Sequence, residues 1–173
     1  MLDLGHINYF KAGEIENKKF WKRLEFKPDF KGKTVLDFGC GLGSLAIEIA
    51  KMGAKKVVAI DLEDEFINFA QENLDKNYPN LTQIVRFEKV DLLKTNEFKE
   101  FDFIITKDTF EHTLNLDKVL KKFYEVLKFD GKVLIGFGPL YNFYNGDHGR
   151  TKAILPWFHL IIPERVLINR INK

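Results

Sequence analysis

Hydrophobic residues along the middle of the chain alternate between short continuous runs and positions spaced by three and four. Short apolar runs predict buried strands, and the wider spacing predicts helices with one buried face. The predicted strands are residues 34–38, 56–60, 84–90, 101–106 and 132–137. The predicted helices between them are residues 44–52, 64–78 and 116–128, with Asp130-Gly131 as a turn. This alternation predicts an α/β fold, a doubly wound and mostly parallel sheet with helices on both faces.

The two ends of the chain depart from this alternation. Phe20 and Leu24 share a helical face, so residues 1–30 are predicted as an N-terminal helical preamble. We predict that residues 31–140 form the core of the fold. Residues 141–173 are predicted to be a loop and an apolar tail of the same domain. The tail is too hydrophobic to lie free in water, so we expect a lid, a cover for the sheet edge or an interface between chains.

Composition narrows the class of protein. The chain has 173 residues, of which 45% are hydrophobic and 30% charged, and this is typical of a globular domain. A net charge of +2 is too small to predict nucleic-acid binding by itself. Cys40 is the single cysteine, which excludes an intrachain disulfide and predicts a reducing, cytoplasmic location. The longest apolar stretch, residues 153–162, is too short to span a membrane.

A glycine-rich loop carries the strongest chemical signal. Asp37 is followed by Gly39, Gly41 and Gly43, between a predicted strand and a predicted helix. Glycines let the backbone turn sharply and approach a ligand closely, and the amides at a helix start suit an anionic group. Asp61 ends the second predicted strand, where a carboxylate can accept the hydroxyls of a ribose. Ligands of such sheets bind outside the carboxyl ends of the strands.

These residues resemble the class I S-adenosylmethionine-dependent methyltransferase family. Its first motif, acid-x-Gly-x-Gly-x-Gly, matches residues 37–43, and its second-strand acid matches Asp61. Its acid after the third strand, which neighbours the adenine amine, matches Asp91. Residues 101–105 and 127–135 are similar to its fourth strand and to the entry to its fifth. The resemblance covers about residues 33–138.

The resemblance implies a Rossmann-like fold, S-adenosylmethionine as cofactor, S-adenosylhomocysteine as product and residues 31–140 as the cofactor-binding core. The implied enzyme transfers a methyl group to an unidentified acceptor, which we expect to be a small molecule, on oxygen, nitrogen or carbon. Full domains of the family have seven strands and five are evident here, so either the tail supplies poorly marked strands or this chain lacks the last two. The predicted cofactor contacts are Asp37, Gly39, Cys40, Gly41, Gly43, Asp61, Leu62, Asp91, Leu92 and Lys107.

A second cluster follows the fourth strand. Asp108, Glu111 and His112 resemble the metal-binding acid-x-x-Glu-His of ubiquinone-pathway O-methyltransferases and small-RNA 2′-O-methyltransferases, although those begin with Glu. We expect a cofactor-contacting wall with no metal. His112 and His148 are the candidate catalytic bases, because imidazole exchanges protons near neutral pH.

Several alternatives stay open. The chain could be a cofactor-binding, non-catalytic partner subunit. Residues 41–46 also fit the G-x-G-x-x-A form of an NAD-dependent oxidoreductase, although Asp37 and the later strands favour methyl transfer. No motif for methylation of DNA bases is found, whereas RNA remains open as a partner. The C-terminal segment makes a homo-oligomer another expectation.

Overall fold

The computed structural model describes residues 3–24, 28–138 and 157–171. The chain divides into two compact units, residues 1–136 and residues 137–173. The second unit contains two short helices, Phe158–Ile161 and Glu164–Ile171. The sheet, its covering helices and the site described below all belong to the first unit.

Five parallel strands form the sheet, in the order β3-β2-β1-β4-β5. They are β1 (Thr34–Phe38), β2 (Lys56–Asp61), β3 (Val85–Lys89), β4 (Phe101–Lys107) and β5 (Leu127–Gly136). The chain runs outward from β1 to β3 and then returns to the other side of β1 with β4. This reversal between β1 and β4 is the point where such sheets open a crevice for a ligand. The predicted parallel α/β architecture is confirmed.

Helices cover both faces of the sheet. They are α1 (Leu4–Arg23), α2 (Ser44–Lys51), α3 (Asp64–Asn77) and α4 (Leu116–Val126). Successive strand residues point to opposite faces, so Val35 belongs to the cluster with α1, α2 and α3, whereas Leu36 belongs to the cluster with α4. Phe123 of α4 is almost fully buried in that second cluster. The two apolar layers therefore fix the central strands from above and below.

The N-terminal helix α1 is an integral part of this unit. Its first turn is capped by Asp3, whose side chain accepts a hydrogen bond from the His6 amide at 2.9 Å. A Cβ on Gly13 would lie 2.5 Å from Ser44 Oγ, so α1 passes close to the start of α2. Trp21 Nε1 donates to Glu48 Oε1 of α2 at 3.0 Å. Close packing and this hydrogen bond attach α1 to α2.

The junction between α4 and β5 differs from the prediction. The helix ends at Val126, and residues 127–136 are a strand that includes the predicted turn Asp130-Gly131. Phe101 pairs with Leu127, and two residues later Phe103 pairs with Lys132, so residues 128–131 of β5 lie opposite the single residue Asp102 of β4. The turn signal therefore marks an irregularity within a strand. Within the part of the chain that the structure describes, β5 is an edge strand.

Residues 139–156 lie outside the described residues. They include His148 and the start of the apolar tail. The predicted roles of this segment, as a lid, an edge cover or an interface, therefore stay predictions.

Candidate functional site

A cavity of about 800 Å³ opens at the carboxyl ends of the strands. Its walls are the loop after β1, the residues that follow β2, β3 and β4, and one face of α1. It lies where the strand order reverses, which is the position expected for the ligand of a doubly wound sheet. This cavity is the candidate functional site.

The glycine loop after β1 is tied to the neighbouring strand by its backbone. The amides of Gly39 and Cys40 both donate to the Ile60 carbonyl, at 2.9 and 3.0 Å. The Gly43 amide donates to the Cys40 carbonyl at 3.0 Å, which closes a tight turn before α2 begins at Ser44. The backbone of the loop is thus held in place independently of its side chains.

The three glycines of the loop have different surroundings. A Cβ on Gly39 would collide with the side chain of Thr109, and one on Gly43 would lie 2.5 Å from the Phe87 ring. Gly41 has open space beside it and lines the cavity, with a positive φ of 50°. Gly43 is absent from the cavity wall that the structure describes. Gly39 and Gly43 therefore allow close packing, whereas Gly41 leaves room for a ligand.

The Asp61 carboxylate is oriented by three backbone amides. Oδ2 accepts from Gly41 at 2.8 Å, and Oδ1 accepts from Leu62 and Glu63 at 2.7 and 3.1 Å. A carboxylate has about four acceptor positions, so about one remains for a ligand. Asp61 therefore links the glycine loop to the end of β2 and presents a fixed acceptor at the cavity wall.

Asp37 is a buried carboxyl group at the centre of the site. Its side chain is 1% exposed, and the Ala46 amide donates a hydrogen bond to it. Its Oδ2 atom is buried and has no hydrogen-bond partner. Burial raises the pKa of Asp37 to about 7, against the opposing effect of the positive charge of Lys107. Asp37 lines the cavity, so this oxygen is an acceptor available to a ligand that supplies a donor.

Lys107 ends β4 and is bonded to α1. Its Nζ donates to Asn17 Oδ1 at 2.8 Å, across 90 positions of the sequence. Burial lowers the pKa of Lys107, although the negative charges of Asp108 and Asp37 oppose this effect. Lys107 lines the cavity, whereas Asn17 is fully buried behind it.

Cys40 and Asp91 complete the predicted contacts in different ways. Burial raises the pKa of the Cys40 thiol well above its ordinary value, so the side chain is a small apolar wall of the cavity. Asp91 Oδ1 accepts from the Leu93 amide at 3.0 Å, and Oδ2 lies 3.2 Å from Lys94 Nζ. The Asp91 carboxylate caps the short 3₁₀ turn after β3 and faces the cavity.

Of the three residues in the cluster after β4, Asp108, Glu111 and His112, two line the cavity. Asp108 and His112 line the cavity, and Glu111 is not part of the described wall. Asp108 has a positive φ of 54°, and its amide donates to the Gly136 carbonyl at 2.7 Å, which turns the chain away from the sheet. Among the residues that the structure describes, no group of three His, Cys, Asp or Glu side chains is arranged to hold a metal ion.

The structure thus brings together nearly all of the predicted contacts. The predicted residues at the cavity wall are Asp37, Gly39, Cys40, Gly41, Asp61, Leu62, Asp91, Leu92, Lys107 and His112. Gly43 packs behind the loop instead, and His148 lies outside the described residues.

One wall of the cavity was not predicted from the sequence, the face of α1 that carries Tyr9, Phe10, Gly13 and Glu16. Gly13 in the middle of a helix was the available signal, because glycine there is unfavourable unless another element comes close.

Comparison with known proteins identifies the family. A family model described as a methyltransferase domain matches residues 29–137, more than half of the chain. The chain belongs to this methyltransferase domain family. The match includes the glycine loop and all five strands, so the predicted membership of the S-adenosylmethionine-dependent methyltransferases is confirmed.

Two curated relatives of the chain are phosphoethanolamine N-methyltransferases. Phosphoethanolamine N-methyltransferase 2 of Caenorhabditis elegans is 33% identical over 132 residues, which are 75% of this chain and 29% of that protein. Phosphoethanolamine N-methyltransferase 3 of Arabidopsis thaliana is 36% identical over 130 residues, 73% of this chain and 25% of that protein. The methyltransferase domain described here therefore spans between a quarter and three tenths of the length of these relatives.

Solved structures share the fold. A protein from Listeria monocytogenes described as an S-adenosylmethionine-dependent methyltransferase has a TM-score of 0.57 and 30% identity, covering 67% of this chain and 53% of that one. Coclaurine N-methyltransferase, solved with N-methylheliamine and S-adenosylhomocysteine, has a TM-score of 0.58 and 25% identity, covering 70% and 35%. None of the helices in the described part of this methyltransferase domain is long and apolar enough to cross a membrane.

The glycine loop gives a prediction about stability. Gly43→Ala should lower the free energy of unfolding by about 2–5 kcal/mol, because a left-handed backbone and a collision with Phe87 act together. Gly41→Ala is the matched control, and it should cost only the backbone contribution of about 1–2 kcal/mol. Urea unfolding of both variants measures the difference. Equal losses at the two positions would contradict the packing role of Gly43.

Asp37 gives a prediction about pH. The folded pKa of about 7 lies above the ordinary value of 3.8, so Asp37 favours folding at low pH. This contribution is lost as pH rises from the ordinary pKa through the folded one, with a slope of about 1.4 kcal/mol per pH unit. Asp37→Asn, which cannot ionise, should therefore be more stable than the unaltered protein at pH 8 and gain little at pH 4. Urea unfolding across this range, with Asp75→Asn as an exposed control, measures it. A difference independent of pH would contradict the raised pKa.

Proposed function

We propose that this chain binds S-adenosylmethionine in the cavity and transfers its methyl group to a small-molecule amine. The observation that carries the proposal is the buried, unpartnered oxygen of Asp37, a residue that lines the cavity together with the glycine loop and the fixed carboxylate of Asp61. A cavity of about 800 Å³ is also within the range of cofactor sites.

The residues present fit this cofactor. S-adenosylmethionine carries a sulfonium, an ammonium and ribose hydroxyls, which are cations or donors. Asp37 Oδ2 would receive the ammonium, and the remaining acceptor position of Asp61 would receive a ribose hydroxyl. Asp91 would accept from the adenine amine, with Leu62 and Leu92 as apolar walls on either side of it. Cys40 and Gly41 leave the space between these groups free.

Chemistry in such a site is divided between cofactor and protein. The cofactor supplies a methyl group activated by its sulfonium. The chain binds and orients the two reactants, so that the acceptor lone pair and the methyl carbon are held in line. His112 at the cavity wall is the candidate to take the proton that an amine loses. His148 is the second candidate for this role, and it lies outside the described residues.

The charge of the cavity favours an amine acceptor. Six carboxyl groups line it, and Lys107 is the single lysine or arginine among the lining residues that the structure describes. The carboxyl groups are those of Glu16, Asp37, Asp61, Glu63, Asp91 and Asp108. Asp37, Asp61 and Asp91 serve the cofactor in this proposal, which leaves Glu16, Glu63 and Asp108 to attract an amine that is cationic in water. The N-methyltransferase names of three relatives support the same acceptor atom.

Cofactor binding is tested with S-adenosylhomocysteine. Calorimetry should show binding, and Asp61→Ala should weaken it by about 1–3 kcal/mol, because ligand and loop lose a hydrogen-bond acceptor. Asp64→Ala is the matched control, since Asp64 pairs with Lys89 and is not part of the described cavity wall. A chelator should leave the affinity unchanged. Tighter binding of a nicotinamide dinucleotide would overturn the assignment.

The acceptor class is tested by methyl transfer from isotopically labelled cofactor to amines, phenols and carboxylic acids of similar size. We expect label on nitrogen, and His112→Gln should lower turnover more than it lowers affinity for S-adenosylhomocysteine. Label on phenols alone would overturn the amine proposal. Cofactor binding without transfer to any acceptor would favour the non-catalytic partner subunit.

A further inference from the structure

Asn17 is a buried polar residue of α1 that does not line the described cavity wall. It has no measurable exposure, and its Oδ1 accepts the hydrogen bond from Lys107 Nζ at 2.8 Å. Burying an amide is unfavourable unless it is paired. A helix that only covered the sheet would carry an apolar residue at this position, as it does at Phe20. The bond to Lys107 is what distinguishes Asn17 from the rest of the buried face.

Lys107 has two possible partners, Asn17 and Asp37. Each of Lys107 and Asp37 shifts the pKa of the other toward the charged form, so their charges act on one another across the cavity wall. Nevertheless, Asp37 Oδ2 receives no hydrogen bond. While Lys107 Nζ is bonded to Asn17, it stabilises the charge of Asp37 from a distance and leaves that oxygen unoccupied.

We propose that Asn17 is a positioning residue, which holds the Lys107 ammonium away from Asp37 and thereby keeps one Asp37 oxygen open for the cationic group of the ligand. The part of this inference that concerns the ligand rests on the proposed cofactor site. The part that concerns Lys107 and Asp37 describes the protein alone.

The surrounding charges support a competition between Asn17 and Asp37 for Lys107. The other acids whose charges act on Lys107 are Asp108, whose effect is larger than that of Asp37, and Glu16 and Glu48, whose effects are smaller. Glu16 lies 2.6 Å from Lys19, Glu48 accepts from Trp21, and Asp108 is exposed to water. Among the acids whose charges act on Lys107, Asp37 is the buried one. The charges that act on Asp37 itself are those of Lys107 and Asp61. A buried ammonium that loses Asn17 gains most by pairing with this buried carboxylate.

The first experiment needs no ligand. In Asn17→Leu, a variant of similar volume without an acceptor, Lys107 should move onto Asp37. The Asp37 carboxyl titration, followed by carbon NMR, should then move to lower pH. Asn17→Asp keeps an acceptor for Lys107, so there the titration should stay in place or move to higher pH. A merely structural role for Asn17 would not lower the Asp37 titration in Asn17→Leu while sparing it in Asn17→Asp. An unchanged titration in folded Asn17→Leu overturns the inference.

The second experiment measures affinity for S-adenosylhomocysteine. Asn17→Leu should bind about tenfold more weakly, the effect of losing one hydrogen bond to a charged group. In the unaltered protein the affinity should rise as pH increases through about 7, where Asp37 ionises. In Asn17→Leu this rise in affinity should occur at lower pH. The affinity of Asn17→Asp should be closer to that of the unaltered protein than the affinity of Asn17→Leu is.

Asn73→Leu is the matched control for these measurements. Asn73 is a buried asparagine of α3 that accepts from Asn77 Nδ2 at 2.8 Å and is not part of the described cavity wall. It should lose stability without losing affinity. Equal affinities in Asn17→Leu and the unaltered protein would overturn the inference. A shifted Asp37 titration in a protein that never binds S-adenosylhomocysteine would instead refute the proposed function and leave the positioning role standing.

Discussion

The site depends on the burial of one carboxyl group at the end of the central strand. Asp37 lies where the sheet order reverses, with a single amide bonded to it and one oxygen unused. Burial of this kind is unfavourable for the charged form, and the nearby charge of Lys107 opposes that effect only in part. The surrounding elements leave one oxygen of this group without a hydrogen bond, so that a ligand can use it.

The glycine loop after β1 is also prepared for a ligand, in its case by backbone hydrogen bonds. Two amides share the Ile60 carbonyl, and the Asp61 carboxylate collects three further amides. The loop is therefore rigid before any ligand arrives, and little ordering remains to be done on binding. Close packing of Gly39 and Gly43 against neighbouring side chains serves this rigidity, whereas the open side of Gly41 serves the ligand.

The elements of the sheet and most of the cavity wall could be predicted from the sequence. Buried parallel strands are continuous apolar runs, and a ligand loop must follow the first of them, so Asp37 and Asp61 are identifiable by position alone. Local patterns cannot show the bond between Asn17 and Lys107, which joins residues 90 positions apart. They also do not separate the end of α4 from the start of β5, because Leu127 continues the helical spacing of Val119 and Phe123.

Because α1 supplies one wall, the cavity cannot form until this helix has packed against the rest of the domain. This helix is synthesised before the rest of the domain, whereas Lys107, its partner in β4, follows much later. The cavity is therefore complete only after a contact of long range has formed, late in the assembly of the chain. Docking of α1 and binding of a ligand that contacts it would be thermodynamically linked, so each would stabilise the other by the same free energy.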